Sequence, residues 1–427
     1  MTVSDAVPQQ RRKNATGGAR RASLAMCGPR KSTGPVAVFV VIHKLHPFVR
    51  SLSLIALFIV AALRADDVTV RTAAELRAAV AAATPGTRIL LVEGNYVGGF
   101  HFINLRGEPG RPIIIASADP TKRAVFRDAK TGLHLSSPSY VELHDLDFTV
   151  LYANGLNIDD GGVRGGAGAH HLVLRRLHVS DIGGGGNEDG IKLSGVSDFQ
   201  VIGCTIERWG AGGGSAIDAV GCHRGRFETC LVRHNSPPNA TGIQCKGGSS
   251  AIVIRRCRFE FAAGRAVNIG GNTGLSFFRP ALPATGGGHA EARDIRVEGN
   301  TFVGALCAVA FAGVDGAVFR FNTIERPGRW AVRILQENHA AGFVPCRNGE
   351  FSDNVIIFDS VRWSEGGVNI GAGTAPETFT FARNWWYCED RPDRSHPKLP
   401  TKEIAGVYGR DPAQAKGVSG ADAFVEK

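Results

Sequence analysis

The sequence predicts an all-β fold, a right-handed parallel β-helix: a solenoid of short strands closed at its N-terminal end by a short helix. Three observations carry the prediction. A strand-length apolar motif recurs between residues 131 and 372. The 55 glycines and 8% aromatic residues of the 427-residue chain suit many strands joined by tight turns. No stretch after residue 83 has a strong helical period. Because a solenoid grows by stacking coils, one domain absorbs a length that would otherwise suggest two or three.

Residues 1–65 read as a leader. They hold ten Lys/Arg and one Asp, so most of the formal charge of +10 sits there, and the rest of the chain carries 39 Lys/Arg against 38 Asp/Glu. A body so nearly neutral lacks the basic patch that counterion release requires, and nucleic acid is not an expected partner. Residues 52–63 (LSLIALFIVAAL) follow His43, Lys44, His46 and Arg50 and precede Leu63-Arg64-Ala65. That order of charged, apolar and small residues is a secretory signal, too short for a stable membrane span. A secreted, periplasmic or cell-surface protein is expected.

Residues 72–84 (TAAELRAAVAAAT) have a helical apolar pattern ended by Pro85-Gly86, and a strand pattern, TRILLVEG, follows. A helix here would shield the first coil's open core. The coils then occupy residues 66–390. Segments TGLHLS (131–136), NGLNID (154–159), DGIKLSG (189–195), SAIDAVG (215–221), TGIQCKG (241–247), RAVNIGG (265–271), CAVAFAG (307–313), WAVRILQ (330–336) and GGVNIGA (366–372) share the order small, apolar, variable, apolar. Their spacings of 23, 35, 26, 26, 24, 42, 23 and 36 residues imply a coil of about 23 to 26, with insertions emerging as loops.

A second strand pattern per coil, from YVELHDLDF to TFARNWW, brings Leu146, Leu177, Cys204, Cys230, Cys257, Asn300, Asn322, Asn354 and Asn384 onto one position. Identical side chains stacked at strand spacing make a turn ladder, and no Cys-x-x-Cys or nearby histidine completes a metal site for the three thiols. Of the remaining cysteines in the body, Cys346 with Cys388 is the pair to test for a disulfide, against buried free thiols. Residues 391–427 are polar and Pro-rich and are expected as a tail or end cover.

The variable residue of each repeat points outward, which lays His134, Asn157, Lys192, Asp218, Gln244, Asn268, Ala310, Arg333 and Asn369 along one face, with Lys246 two residues beyond Gln244. Mixed charges and amides over several coils suit the hydroxyls and carboxylates of an extended sugar, and insertions 272–292 and 335–348 would wall the face. Asn157, His223, Gln244, Asn268 and Arg333 are the binding candidates. Calcium, which takes several oxygen ligands, is a possible cofactor at Asp159-Asp160 and Glu188-Asp189. Two carboxyls on adjacent coils, Asp189 and Asp218, are the candidates for glycoside hydrolysis.

At this point the sequence resembles the pectin-lyase-like superfamily of right-handed β-helices. The stretch AAELRAAVAAATPGTRILLVEGNYVGGF, with GRPIIIAS and YVELHDLDF after it, is similar to the N-terminal part of its alginate and chondroitin lyases. NEDGIKLSGVSDFQVIGCTI (187–206) resembles a polygalacturonase stretch, but Gly214-Ser215-Ala216 stands where that family has an Asp pair. The lyase resemblance implies a lysine base, matched by Lys246 in CKGGSS (245–250), and an arginine on the next coil, where Ile269 stands and Arg265 is close. Abstraction of the proton beside a uronate carboxylate needs such a base and cations for the developing charge. The expectation is a monomer acting on an acidic polysaccharide by β-elimination, with Lys246, Lys192, Asp218 and Arg265 as its catalytic groups. The alternatives are a hydrolase and a non-catalytic glycan-binding surface protein.

Overall fold

The computed structural model describes residues 67–163, 168–363 and 367–414. The leader, including the 52–63 apolar run, lies outside the described residues, and among those described no helix is long and apolar enough to cross a membrane. Strands alternate apolar and polar residues at period two, and stacking them coil on coil buries each apolar set. The result is three parallel sheets of twelve, ten and twelve strands wound about one core. One coil runs from the ten-stranded sheet (Leu133–Ser136) into the first twelve-stranded sheet (Ser139–His144), then the second (Asp147–Leu151), and back to the ten-stranded sheet at Leu156–Asp159.

The second sequence pattern is therefore not one strand per coil but two, belonging to different sheets. The corner between them is a single left-handed residue at each coil: Asp145, Arg176, Gly203, Thr229, Arg256, Gly299, Phe321, Asp353 and Arg383 have φ between 51 and 64°. Non-glycine residues pay for that conformation by about 1 kcal/mol or more, and stacked charge pairs offset part of it, as in Arg176 with Asp145 and Arg383 with Asp353. The ladder position comes next and points inward. Asn300, Asn322, Asn354 and Asn384 each pass an amide N–H to the Oδ1 of the next residue up the ladder or, at the end, to Glu403, over 2.7–3.1 Å. Cys204, Cys230 and Cys257 continue the position as buried thiols, and burial pushes those of Cys204 and Cys257 well above the usual range.

All eight cysteines of the described residues are free, Cys346 and Cys388 included, so the disulfide tested by sequence does not form. Their thiols point to Phe311 O and Asp390 Oδ1. At the N-terminal end the helix Ala73–Ala82 starts on Thr72, whose Oγ1 accepts from Glu75 N at 3.1 Å, and it buries Leu76, Ala79 and Val80 on the first coil. At the other end Val407–Tyr408 adds a last strand beside Trp385–Cys388, and Glu403 terminates the asparagine ladder.

Candidate active site on the ten-stranded face

The outward positions of the ten-stranded sheet are in register. His101, His134, Asn157, Lys192, Asp218, Gln244, Asn268, Ala310, Arg333 and Asn369 are partners on successive strands. Strand spacing near 4.8 Å brings side chains of neighbouring coils into contact. Lys192 Nζ donates to Asp189 Oδ2 at 2.8 Å and to Asp218 Oδ2 at 2.7 Å. Lys246 Nζ lies 3.3 Å from Asp218 Oδ1, close enough for an ion pair but out of line for a hydrogen bond, so that buried oxygen keeps an unused acceptor.

Asp189 enters this cluster from the end of a Gly-rich loop. Its Oδ1 accepts from Ser215 N at 2.8 Å. Gly190 beside it has no room for a side chain, since a Cβ would stand 2.6 Å from Ala216 O and 2.7 Å from Ile206 Cγ2. Both carboxylate side chains are only 5% exposed, whereas the Lys192 and Lys246 side chains are 32% and 21% exposed. A ligand therefore meets two ammonium groups with carboxylates beneath them. Burial first, and then the Asp218 charge, push the Asp189 carboxyl up. Burial pulls Lys192 down, but Asp218 and Asp189 outweigh it and hold the ammonium above the usual lysine range.

The other candidates divide. Gln244 accepts from Ser215 Oγ at 3.4 Å, and Asn268 donates to Gly270 O at 3.1 Å; both are nearly covered. Arg265 donates to Asn268 Oδ1 at 3.1 Å and to Glu337 Oε1 at 2.5 Å. Arg333 lies further along the face, stacked 4.4 Å over Trp330 and bonded to Asn369 at 2.8 Å. Its guanidinium is pulled down by burial and then by the Arg265 charge. Asn157 donates to Asp159 Oδ2 at 3.2 Å.

His223 is not on this face. It opens the strand His223–Glu228 of a twelve-stranded sheet, bonded to Ser250 Oγ and Arg279 O at 2.8 and 2.9 Å, and it lines a separate cavity of about 510 Å³ with His170, His171 and Arg279. Burial holds its imidazole below the usual range.

The acidic candidates do not fit calcium as placed. Asp160 is held by Arg279 at 2.5 Å, Asp159 by His134 at 2.5 Å, and Asp189 by Lys192. Glu188 Oε2 is buried without a hydrogen bond, yet among the described residues no three His, Cys, Asp or Glu side chains are grouped for a metal. Asp159, Asp160 and Asp189 are thus already engaged by histidine, arginine and lysine side chains.

Sequence reasoning missed three parts of the site. His101 sits on strand Phe100–Ile103 and stacks 4.0 Å from His134; its segment GFHF obeys the repeat and could have been found. Glu337 and Glu291 lie in insertions without period. Glu291 is fully buried and accepts from Gly247 N at 2.9 Å, Thr273 N and Asn338 Nδ2 at 2.8 Å, which ties both insertions to the turn after Lys246. The insertions thus meet along one edge of the face.

A family model described as right handed beta helix region matches residues 131–280. No functionally curated protein matches the sequence. Among solved structures, the chain is similar to an alginate lyase from Paenibacillus sp. str. FPU-7, at 18% identity, covering 71% of this chain and 99% of that one, with a TM-score of 0.52. It is also similar to a lacto-N-biosidase from Eubacterium ramulus, at 11% identity, 80% and 67% coverage and a TM-score of 0.51. The A-module of a mannuronan C-5 epimerase from Azotobacter vinelandii matches at 14% identity, 78% and 93% coverage and a TM-score of 0.50. The fold is a right-handed parallel β-helix. Three different activities on one architecture leave the reaction to the side chains.

Proposed function

We propose that the protein binds an acidic polysaccharide along the ten-stranded face and cleaves it by β-elimination at Lys246, Asp218 and Lys192. The observation that carries this reading is the cluster itself: two partly exposed ammonium groups two coils apart, joined through one buried carboxylate on the coil between them. A uronate carboxylate is drawn to the one N–H of Lys192 left after its two carboxylate bonds. When the sugar covers the site and water leaves, both members of the Lys246 and Asp218 pair lose solvation, which favours passing a proton to the unused Asp218 oxygen. The Lys246 amine then takes the proton beside the substrate carboxylate. The bond to the leaving oxygen breaks, a carbon–carbon double bond forms, and the proton returns to that oxygen. Lys192 holds the negative charge that develops on the carboxylate.

One observation favours a second reading. Asp189 and Asp218 both contact the same Nζ, so their nearest oxygens stand no more than about 5.5 Å apart, near the separation of retaining glycosidase carboxyls. Asp189, pushed up by burial, would be the acid. A panel of polyuronates, with and without calcium, separates the readings. Ultraviolet absorbance from unsaturated ends, absent in Lys246→Ala, supports elimination. Reducing ends without that absorbance move the assignment to hydrolysis, and binding without products leaves a glycan-binding solenoid.

A further inference from the structure

The face is open at its N-terminal end and covered in its middle. His101 is exposed and the His134 and Lys192 side chains keep 29% and 32% of their surface, Asp218, Gln244, Asn268 and Ala310 are covered at 3%, 9%, 2% and 0%, and Arg333 and Asn369 beyond them are partly exposed again. An ion pair is laid across the covered part. Arg265 leaves the N-terminal edge of the strand Arg265–Gly270, Glu337 follows the C-terminal edge of Trp330–Leu335 two coils on, and the two side chains meet at 2.5 Å. On the strand between them, Cys307–Ala312, Ala310 and Ala312 offer only methyl groups, which pack with Leu335.

Both ends of the pair are anchored. Asn268 Oδ1 holds Arg265 at 3.1 Å, and Asn338, next to Glu337, donates to the buried Glu291 at 2.8 Å. A chain passing straight along the face would have to break a partly buried charge pair, which is unfavourable because it separates the two ions where water solvates them poorly. On the other side, the strands from His101 to Gln244 give an approach of roughly 24 Å at about 4.8 Å per strand.

We propose that Arg265 and Glu337 form a bar that closes the groove one coil beyond Lys246, so that the site takes the terminus of an acidic sugar chain and works from that end. This rests on the polysaccharide reading above and makes Arg265 and Glu337 specificity-determining residues. The Lys246 ammonium lies at the closed end of the approach, where only the last sugars of a chain reach it.

The test uses the full chain carrying Lys246→Ala, so that ligands are not cleaved, and oligouronates that are uncapped, capped with a bulky fluorophore at the reducing end, or capped at the other end. Titration calorimetry should show one cap weakening binding at least tenfold and the other leaving it unchanged. Equal tolerance of both caps, or loss with both, overturns the bar while the polysaccharide reading stands. No binding of the uncapped oligomers overturns that reading and the bar with it. As a second measurement in an active background, Glu337→Ala should change the early products from uniformly short pieces to a broad mixture, and an unaltered product distribution contradicts the proposal.

Discussion

Asp218 joins the two partly exposed lysines, and its two oxygens do different things: Oδ2 binds Lys192 and Oδ1 keeps an acceptor free beside Lys246. Lys246→Ala is expected to lower kcat by at least about a hundredfold, the ordinary contribution of a proton-transfer group, with binding changed far less. Asp218→Asn should lower kcat similarly and also loosen Lys192, read as a rise in KM for the anionic substrate. Away from the site, Asp315 shows how single charges set the acid limit. Hydrogen bonds from Arg347 first, opposed by burial and joined by Asn348 and Arg293, bring its carboxyl down to about 2. A carboxyl lowered from an unfolded value of about 3.9 adds stability above that value and loses it as pH falls toward about 2. Its arginine partners are 38% and 44% exposed, so solvent screening keeps the contribution to roughly 1 kcal/mol. The difference in melting temperature between wild type and Asp315→Asn should therefore be largest near neutrality and vanish near pH 2; a constant difference would contradict this account.

Among elements, the corner between the two twelve-stranded sheets does most to fix the coil. Asn322 serves four hydrogen bonds there, receiving from Asn300 N and Nδ2 and giving to Asn354 Oδ1 and Val297 O. Asn322→Ala leaves buried partners unsatisfied and should cost roughly 3 kcal/mol, measurable by denaturant titration; a loss below about 1 kcal/mol would show that water replaces the amide. The ladder was legible in the sequence because identical side chains recur at one position. The left-handed residue before it was not, since only Gly203 and Gly299 mark a conformation that Asp145, Arg176 and Phe321 also adopt. The bend showed in the sequence only as a slip of the apolar spacing from two residues to three, as in Leu172, Leu174, Leu177 and Val179. The repeat of the ten-stranded face was legible from Leu133 onward, and its register placed Lys192 against Asp218 correctly. Arg265 was misplaced because its partner Glu337 lies 72 residues away in an insertion without period.

At the scale of the whole molecule, regular coils supply a straight row of side chains and irregular insertions decide which part of it is open. The first is a property of sequence periodicity and can be read in advance. The second depends on contacts such as Glu291 with Gly247, Thr273 and Asn338, which join segments that no repeat relates. The same division explains why the fold was legible and the borders of the site were not. The cluster at Lys246 either eliminates or hydrolyses, and mass spectrometry of the products of a defined oligouronate distinguishes the two most directly. Elimination predicts two products whose masses sum to that of the substrate, one of them lighter by a water than the ordinary sugar, and neither formed by Lys246→Ala. Products that sum to the substrate plus one water, or the same unsaturated product from the variant, would contradict it.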